Sequence, residues 1–154
     1  MNILVLHGVN LNMFGRRDPA WYGTATLADI DAALAELAAE LGCGLECFQT
    51  NHEGAMVERV HRIPDEECDA VVINAGAWTH TSLALADALA LLAVPVVEVH
   101  MSNIHRREAI RRTSLMAPVC AGSIAGFGVD SYLLGLRAAV ALARKQPGGR
   151  GFPV

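Results

Sequence analysis

The sequence predicts an α/β fold in which a parallel sheet is covered by helices on both faces. Short, continuous apolar runs occur at residues 3–6 and 70–73, and Val96-Val97-Glu98-Val99 is a third such run interrupted only by Glu98. Runs of this kind mark strands buried on both sides, as parallel strands are. Between them lie Ala/Leu-rich stretches that end in Gly or Pro, the pattern of crossover helices. Strands alternating with helices imply right-handed connections within one sheet.

The elements follow in order. Ile3-Leu4-Val5-Leu6 is the first strand. The segment after it, Gly8 to Gly23, far exceeds the usual βα connection of about 2–6 residues, so it reads as a functional loop or lid. Its two Asn, two Arg and Tyr22 sit among Gly and Pro, while Phe14 and Trp21 suit hydrophobic pins of an ordinary surface loop. Thr26 with Asp29 resembles a capping box and opens a helix to Leu41, stopped by Gly42. A second strand covers 45–50, and a helix runs from Asn51-His52-Glu53-Gly54 to about residue 63, before Pro64.

The third strand is Ala70-Val71-Val72-Ile73, followed by a helix over 83–92 and a fourth strand over 96–99. His100-Met101-Ser102-Asn103 is expected to open a short Arg-rich helix through Arg112. A fifth strand lies around 119–125 and a last helix around 131–144. Five strands with helices on both faces suit a flavodoxin-like three-layer sandwich of order 2-1-3-4-5. Ligands of such folds sit beyond the carboxyl ends of the strands, near the switch point. The polar segments follow strands one to four, so one pocket can collect them. Residues 1–145 read as a single catalytic domain, and the Gly- and Pro-rich residues 146–154 as a disordered tail.

Composition narrows the class. With 53% hydrophobic residues in 154, and no run near the ~18 needed to span a membrane, the apolar surplus points to subunit interfaces. A net charge of −4 offers no basic field for nucleic acid. The positive charge is almost all Arg, with Lys145 the single Lys, which favours bidentate work on anions. Cys43, Cys47, Cys68 and Cys120 form no metal-binding spacing. No signal-peptide pattern opens the sequence, so the cytoplasm is the expected location.

The polar segments suggest proton transfer. A guanidinium close to a phenol favours the phenolate, so Tyr22 with Arg17 on a closing loop suits a general base; the alternative is a rim tyrosine beside a surface charge. Alternation puts Glu98 and His100 on one face of a strand, where the carboxylate orients the imidazole and favours its acid form. A hydrogen-bonded structural His fits equally. Met101, Ser102 and Asn103 would present backbone N–H groups to an anion, with Arg107 and Arg111 on one helix face. Asn74, His80 and Asp87 could bind hydroxyl or carboxylate groups, or His80 could cap its helix. His52 with Glu53 suits a supporting pair. Together these imply proton abstraction and leaving-group protonation on a small hydroxylated carboxylate.

The blocks Asn10-Leu11-Asn12, Gly15…Arg17-Asp18-Pro19…Tyr22-Gly23 and Gln49-Thr50-Asn51-His52-Glu53-Gly54 carry a resemblance. So do Asn74-Ala75-Gly76…Thr79-His80-Thr81-Ser82 with Asp87, Glu98-Val99-His100…Ser102-Asn103…Arg107…Arg111, and Gly126-Phe127-Gly128. In this order they resemble the type II 3-dehydroquinate dehydratases. The resemblance implies a flavodoxin-like subunit in a homododecamer, a tetramer of trimers. It implies cofactor-free, metal-free dehydration of 3-dehydroquinate to 3-dehydroshikimate, in the shikimate pathway or in quinate breakdown. By position, Tyr22 is the base for the C2 proton, Arg17 its activator, and Asn12 an enolate stabiliser. His100 protonates the departing C1 hydroxyl and Glu98 orients it. Substrate contacts fall on Asn74, His80, Asp87, Met101, Ser102 and Arg111. Val9, Trp78 and Ala109-Ile110 depart from the family pattern, outside these positions.

Two rivals fit less well. A flavin or nucleotide module would use Thr79-His80-Thr81-Ser82 as a phosphate cradle, yet the first loop is Asn- and Arg-rich. A metal site would draw on His7, His52, His80, His100 and His105, but their spacing is not that of a helical metal site and no Cys joins them. Because the motifs hold no lysine, a Schiff-base route has no candidate.

Overall fold

The computed structural model describes residues 1–145; the expected tail at 146–154 lies outside the described residues. Strands β1 (Asn2–His7), β2 (Gly44–Gln49), β3 (Ala70–Asn74), β4 (Val96–His100) and β5 (Gly122–Ala125) form one parallel sheet of order 2-1-3-4-5. The predicted order is therefore the observed one. The helices are α1 (Pro19–Tyr22), a single turn in the long first loop, then α2 (Leu27–Leu41), α3 (Glu53–Arg62), α4 (Leu83–Ala90) and α5 (Val129–Lys145). No helix among the described residues is long and apolar enough to cross a membrane.

Strand alternation divides the core in two. Ile3 and Val5 of β1 join Val72, Val97 and Val99 beneath α2 and α5. Leu4 and Leu6 point the other way, joining Val71, Ile73 and Val96 beneath α3 and α4. Both faces of the central strands β1, β3 and β4 are buried, which is why β1 and β3 read as unbroken apolar runs. The capping box is present: Asp29 N donates to Thr26 Oγ1 at 3.2 Å and Thr26 N to Asp29 Oδ2 at 2.8 Å. Gly42 ends α2 with φ at 68°. On the opposite element, Gly135 lets α5 lie close to the sheet, since a Cβ there would sit 2.5 Å from Val99 Cγ1.

Three expectations need correction. The predicted helix from His100 to Arg112 is absent; two 3-10 turns, Ile104–Arg106 and Ala109–Arg111, stand in its place. The Arg107 carbonyl, which an α-helix would bond to the Arg111 amide, instead accepts from Arg112 Nε at 2.6 Å. Arg107 itself is extended (φ −84°, ψ 176°), with its side chain committed to the first loop. Second, β5 begins only at Gly122, because Pro118 has no N–H to give a ladder and lies in a 3-10 turn, Ala117–Val119. Third, α4 stops at Ala90, where Leu91 and Leu92 switch to i−3 bonds at 3.2 and 3.1 Å.

Candidate active site

The carboxyl edge of the sheet carries a cavity built by the loops after β1, β3 and β4. The first loop is held in three places. Asn10 adopts the left-handed conformation (φ 66°) and its N–H donates to Asn51 Oδ1 at 2.8 Å. Gln49 Nε2 donates to the Gly8 carbonyl at 3.2 Å, so the segment after β2 fixes the loop's entry. Further on, Asp18 caps α1 by accepting from Ala20 N at 2.9 Å, with Pro19 preset for the first helical position. Phe14 is buried beneath, 5.8 Å from the Tyr22 ring, as a pin.

Tyr22 receives two guanidinium groups. Arg17 Nη2 donates to its oxygen at 3.0 Å and Arg107 Nη1 at 3.1 Å. Arg17 also stacks on the phenol ring at 4.0 Å, and Arg107 on Trp21 at 4.4 Å. Charged donors converging on one oxygen stabilise negative charge there. The same contacts, with Glu108, hold the Arg107 pKa above its ordinary value although burial works against it.

His100 lines the cavity from the end of β4, its Nε2 2.8 Å from Glu98 Oε1. Glu98 is only 1% exposed, yet it stays ionised. Burial pushes its pKa up, but hydrogen bonds and charge from His100, with hydroxyl donors Ser114 and Ser123 at 2.6 Å each, bring it below the usual carboxylate value. A carboxylate only accepts, so Nε2 of His100 carries hydrogen and Nδ1 is the remaining site for proton transfer. The His80 ring stacks 6.5 Å from that of His100. His80 Nδ1 donates to the Thr113 carbonyl at 2.8 Å, so its neutral form presents Nε2 as an acceptor.

The model of the family "Dehydroquinase class II" matches residues 1–140 of this sequence. The chain belongs to the class II dehydroquinases. A 3-dehydroquinate dehydratase of Syntrophotalea carbinolica is 64% identical over 144 residues, 94% of this chain and 97% of that protein. One from Leptothrix cholodnii is 61% identical over 97% of this chain and its own full length. Among solved structures, the type II dehydroquinase of Butyrivibrio crossotus superposes with a TM-score of 0.89 at 37% identity. It covers 90% of this chain and 97% of that one.

In this dehydroquinase the cavity brings together most of the residues expected from sequence: Arg17, Tyr22, Asn74, His80, His100, Met101, Ser102, Arg107 and Arg111. Arg111 is held by Glu108, whose Oε1 accepts from Nε at 2.7 Å. Arg107 and Arg111 reach the cavity from separate segments rather than from one helix face. Glu98 stands behind His100 without lining the cavity, and four residues lie elsewhere. Asn12 is exposed on the 3-10 turn Leu11–Met13, where Leu11 takes the inward position. His52 and Glu53 are exposed where α3 begins, since Met56, Arg59 and Val60 form its buried stripe. Asp87 faces outward from α4, whose buried side is Leu85, Ala86, Ala88 and Leu89.

Sequence reasoning missed several partners. Ser123 meets Glu98 because the two are paired across β4 and β5, a register visible only once the strands are aligned. The histidines do not gather as a set; instead His7, Asp31 and Cys47 place their ligand atoms within 4.8 Å of one another, so a cysteine does join a histidine. Burial and the neighbouring Asp31 push the Cys47 thiol up to about 12, and His7 Nε2 already bonds Asp31 at 2.9 Å.

Proposed function

We propose that this cavity dehydrates 3-dehydroquinate to 3-dehydroshikimate by anti elimination, with Tyr22 as base and His100 as acid. The observation that carries the reading is the pairing of two proton-transfer groups, each held by charged partners, in one cavity. Tyr22 is met by Arg17 and Arg107 at 3.0 and 3.1 Å, and His100 is held by Glu98 at 2.8 Å. As phenolate, Tyr22 removes the C2 proton, and the electron pair moves onto the C3 carbonyl oxygen as an enolate. When the carbonyl re-forms, the C1–C2 double bond forms and the C1–O bond breaks. The imidazolium of His100 gives its Nδ1 proton to that oxygen, which leaves as water. Proton exchange with solvent then resets both groups.

Membership of the dehydroquinase family and the named relatives support this hydro-lyase reading. Asn74, His80 and Arg111, with the backbone at Met101 and Ser102, serve as substrate contacts, because all line the cavity. Asn12, exposed on the loop that also carries Arg17 and Tyr22, stabilises the enolate through water in this reading. Residues 1–145 act as one catalytic unit, and the subunits assemble as a dodecamer in the cytoplasm.

The test is growth of the conjugated enone absorbance when 3-dehydroquinate meets the purified protein. Wild type is expected to produce it. Tyr22→Phe and His100→Ala are each expected to lose at least about 10²-fold in kcat, the scale of a general acid or base. A folded Tyr22→Phe variant with full activity would remove the assigned base.

A further inference from the structure

Behind the cavity a chain of buried polar groups runs between the sheet and the α2/α5 layer and ends at solvent. Asn74 ends β3 and lines the cavity. Its Oδ1 accepts from Gly76 N at 3.1 Å, and its Nδ2 donates to the Tyr132 hydroxyl at 3.0 Å. Tyr132 on α5 is fully buried, and its hydroxyl lies 3.0 Å from His7 Nδ1. His7, also fully buried, places Nε2 2.9 Å from Asp31 Oδ1. Asp31 is 37% exposed on α2, so the chain ends at solvent. His7 and Asn74 are register partners on β1 and β3, which brings both under α5.

Hydrogen-bond counting gives this chain one direction. The Asp31 carboxylate only accepts, so His7 Nε2 carries a hydrogen. In its neutral form the imidazole then accepts at Nδ1, and the single proton of Tyr132 is spent there. That leaves the phenol oxygen able only to accept from Asn74. Asn74 therefore cannot turn its amide over without setting its carbonyl against an oxygen that has no proton to give, while also losing the Gly76 bond. Burial pushes the Tyr132 pKa far above its ordinary value, so the phenol keeps that proton.

We propose that Tyr132 and His7, set by Asp31, are positioning residues that lock Asn74 as a hydrogen-bond donor toward an oxygen of the substrate. The cavity thereby selects a ligand with an acceptor at that point, a hydroxyl or carboxylate oxygen. The inference rests on the reading of Asn74 as a substrate contact.

The test is a double-mutant cycle on steady-state kinetics with 3-dehydroquinate, using Tyr132→Phe, Asn74→Ala and the double variant. Tyr132→Phe removes one oxygen and keeps the packing. It is expected to raise KM about fivefold with kcat within about twofold, the scale of one hydrogen bond. In the Asn74→Ala background the same change is expected to do nothing further, because the group it positions is gone. Effects that simply multiply would overturn the proposal, since a merely structural phenol acts regardless of Asn74. An Asn74→Ala enzyme with wild-type KM would instead overturn the substrate-contact reading on which the proposal stands. Should Tyr132→Phe not fold, Asp31→Ala at the exposed end carries the cycle. It is expected to raise KM about twofold, and only when Asn74 is present.

Discussion

At the scale of single residues, Glu98 separates orientation from charge. Its Oε1 takes His100 and Ser114, and its Oε2 takes Ser123. In Glu98→Gln the carbonyl can still accept from His100, while the amide donates to a Ser123 hydroxyl free to rotate. The orienting bond survives and the negative charge does not. If that charge sustains the imidazolium, Glu98→Gln lowers kcat by about tenfold to a hundredfold with little change in KM. Unchanged kcat would show orientation alone to be enough. The same group sets an acid limit on stability. Its folded pKa lies below the ordinary 4.5, so its contribution is present above that value and is lost as pH falls through the lower, folded one. As pH falls below 4.5, the melting temperature of wild type is expected to fall more steeply than that of Glu98→Gln. Parallel slopes would contradict it.

Elements were legible where local chemistry decides them. The apolar runs of β1 and β3, the Thr26–Asp29 box and Gly42 act within a few residues, so they read directly from the sequence. The segment from His100 to Arg112 did not, because its backbone shape answers to Tyr22 in a loop some 85 residues away. Site residues at strand ends were legible for the same reason as the strands, whereas Ser123 and Tyr132 act through pairing and packing that spacing does not encode. Gly135 is a case in which packing alone decides. A methyl there meets Val99 Cγ1 at 2.5 Å and Val72 Cγ1 at 3.3 Å, both stiff β-branched side chains in a fully buried layer. Although alanine favours helix, Gly135→Ala is expected to destabilise the fold by about 1–3 kcal/mol through overpacking. Chemical denaturation checks this, and a gain in stability would mean that α5 rides outward freely.

At the scale of the whole molecule, Asp87 and the surface belong to one argument. Leu83, Leu91, Ile110 and Phe127 are 67%, 73%, 68% and 63% exposed in the isolated chain, an apolar surface that an assembly would cover. The family resemblance makes Asp87 a substrate contact, while the structure turns it away from its own cavity. Both hold together if Asp87 serves the cavity of a neighbouring copy, a contact only an oligomer provides. Light scattering is then expected to give the mass of about twelve chains. Co-expression of Asp87→Ala with His100→Ala supplies the sharper check. Each variant alone lacks one part of every site, whereas mixed assemblies pair an intact cavity with an intact Asp87. Recovered activity in the mixture, well above the sum of the two parents, is the expected result. Mere addition of their residual rates would place Asp87 outside catalysis altogether and leave each cavity to its own chain.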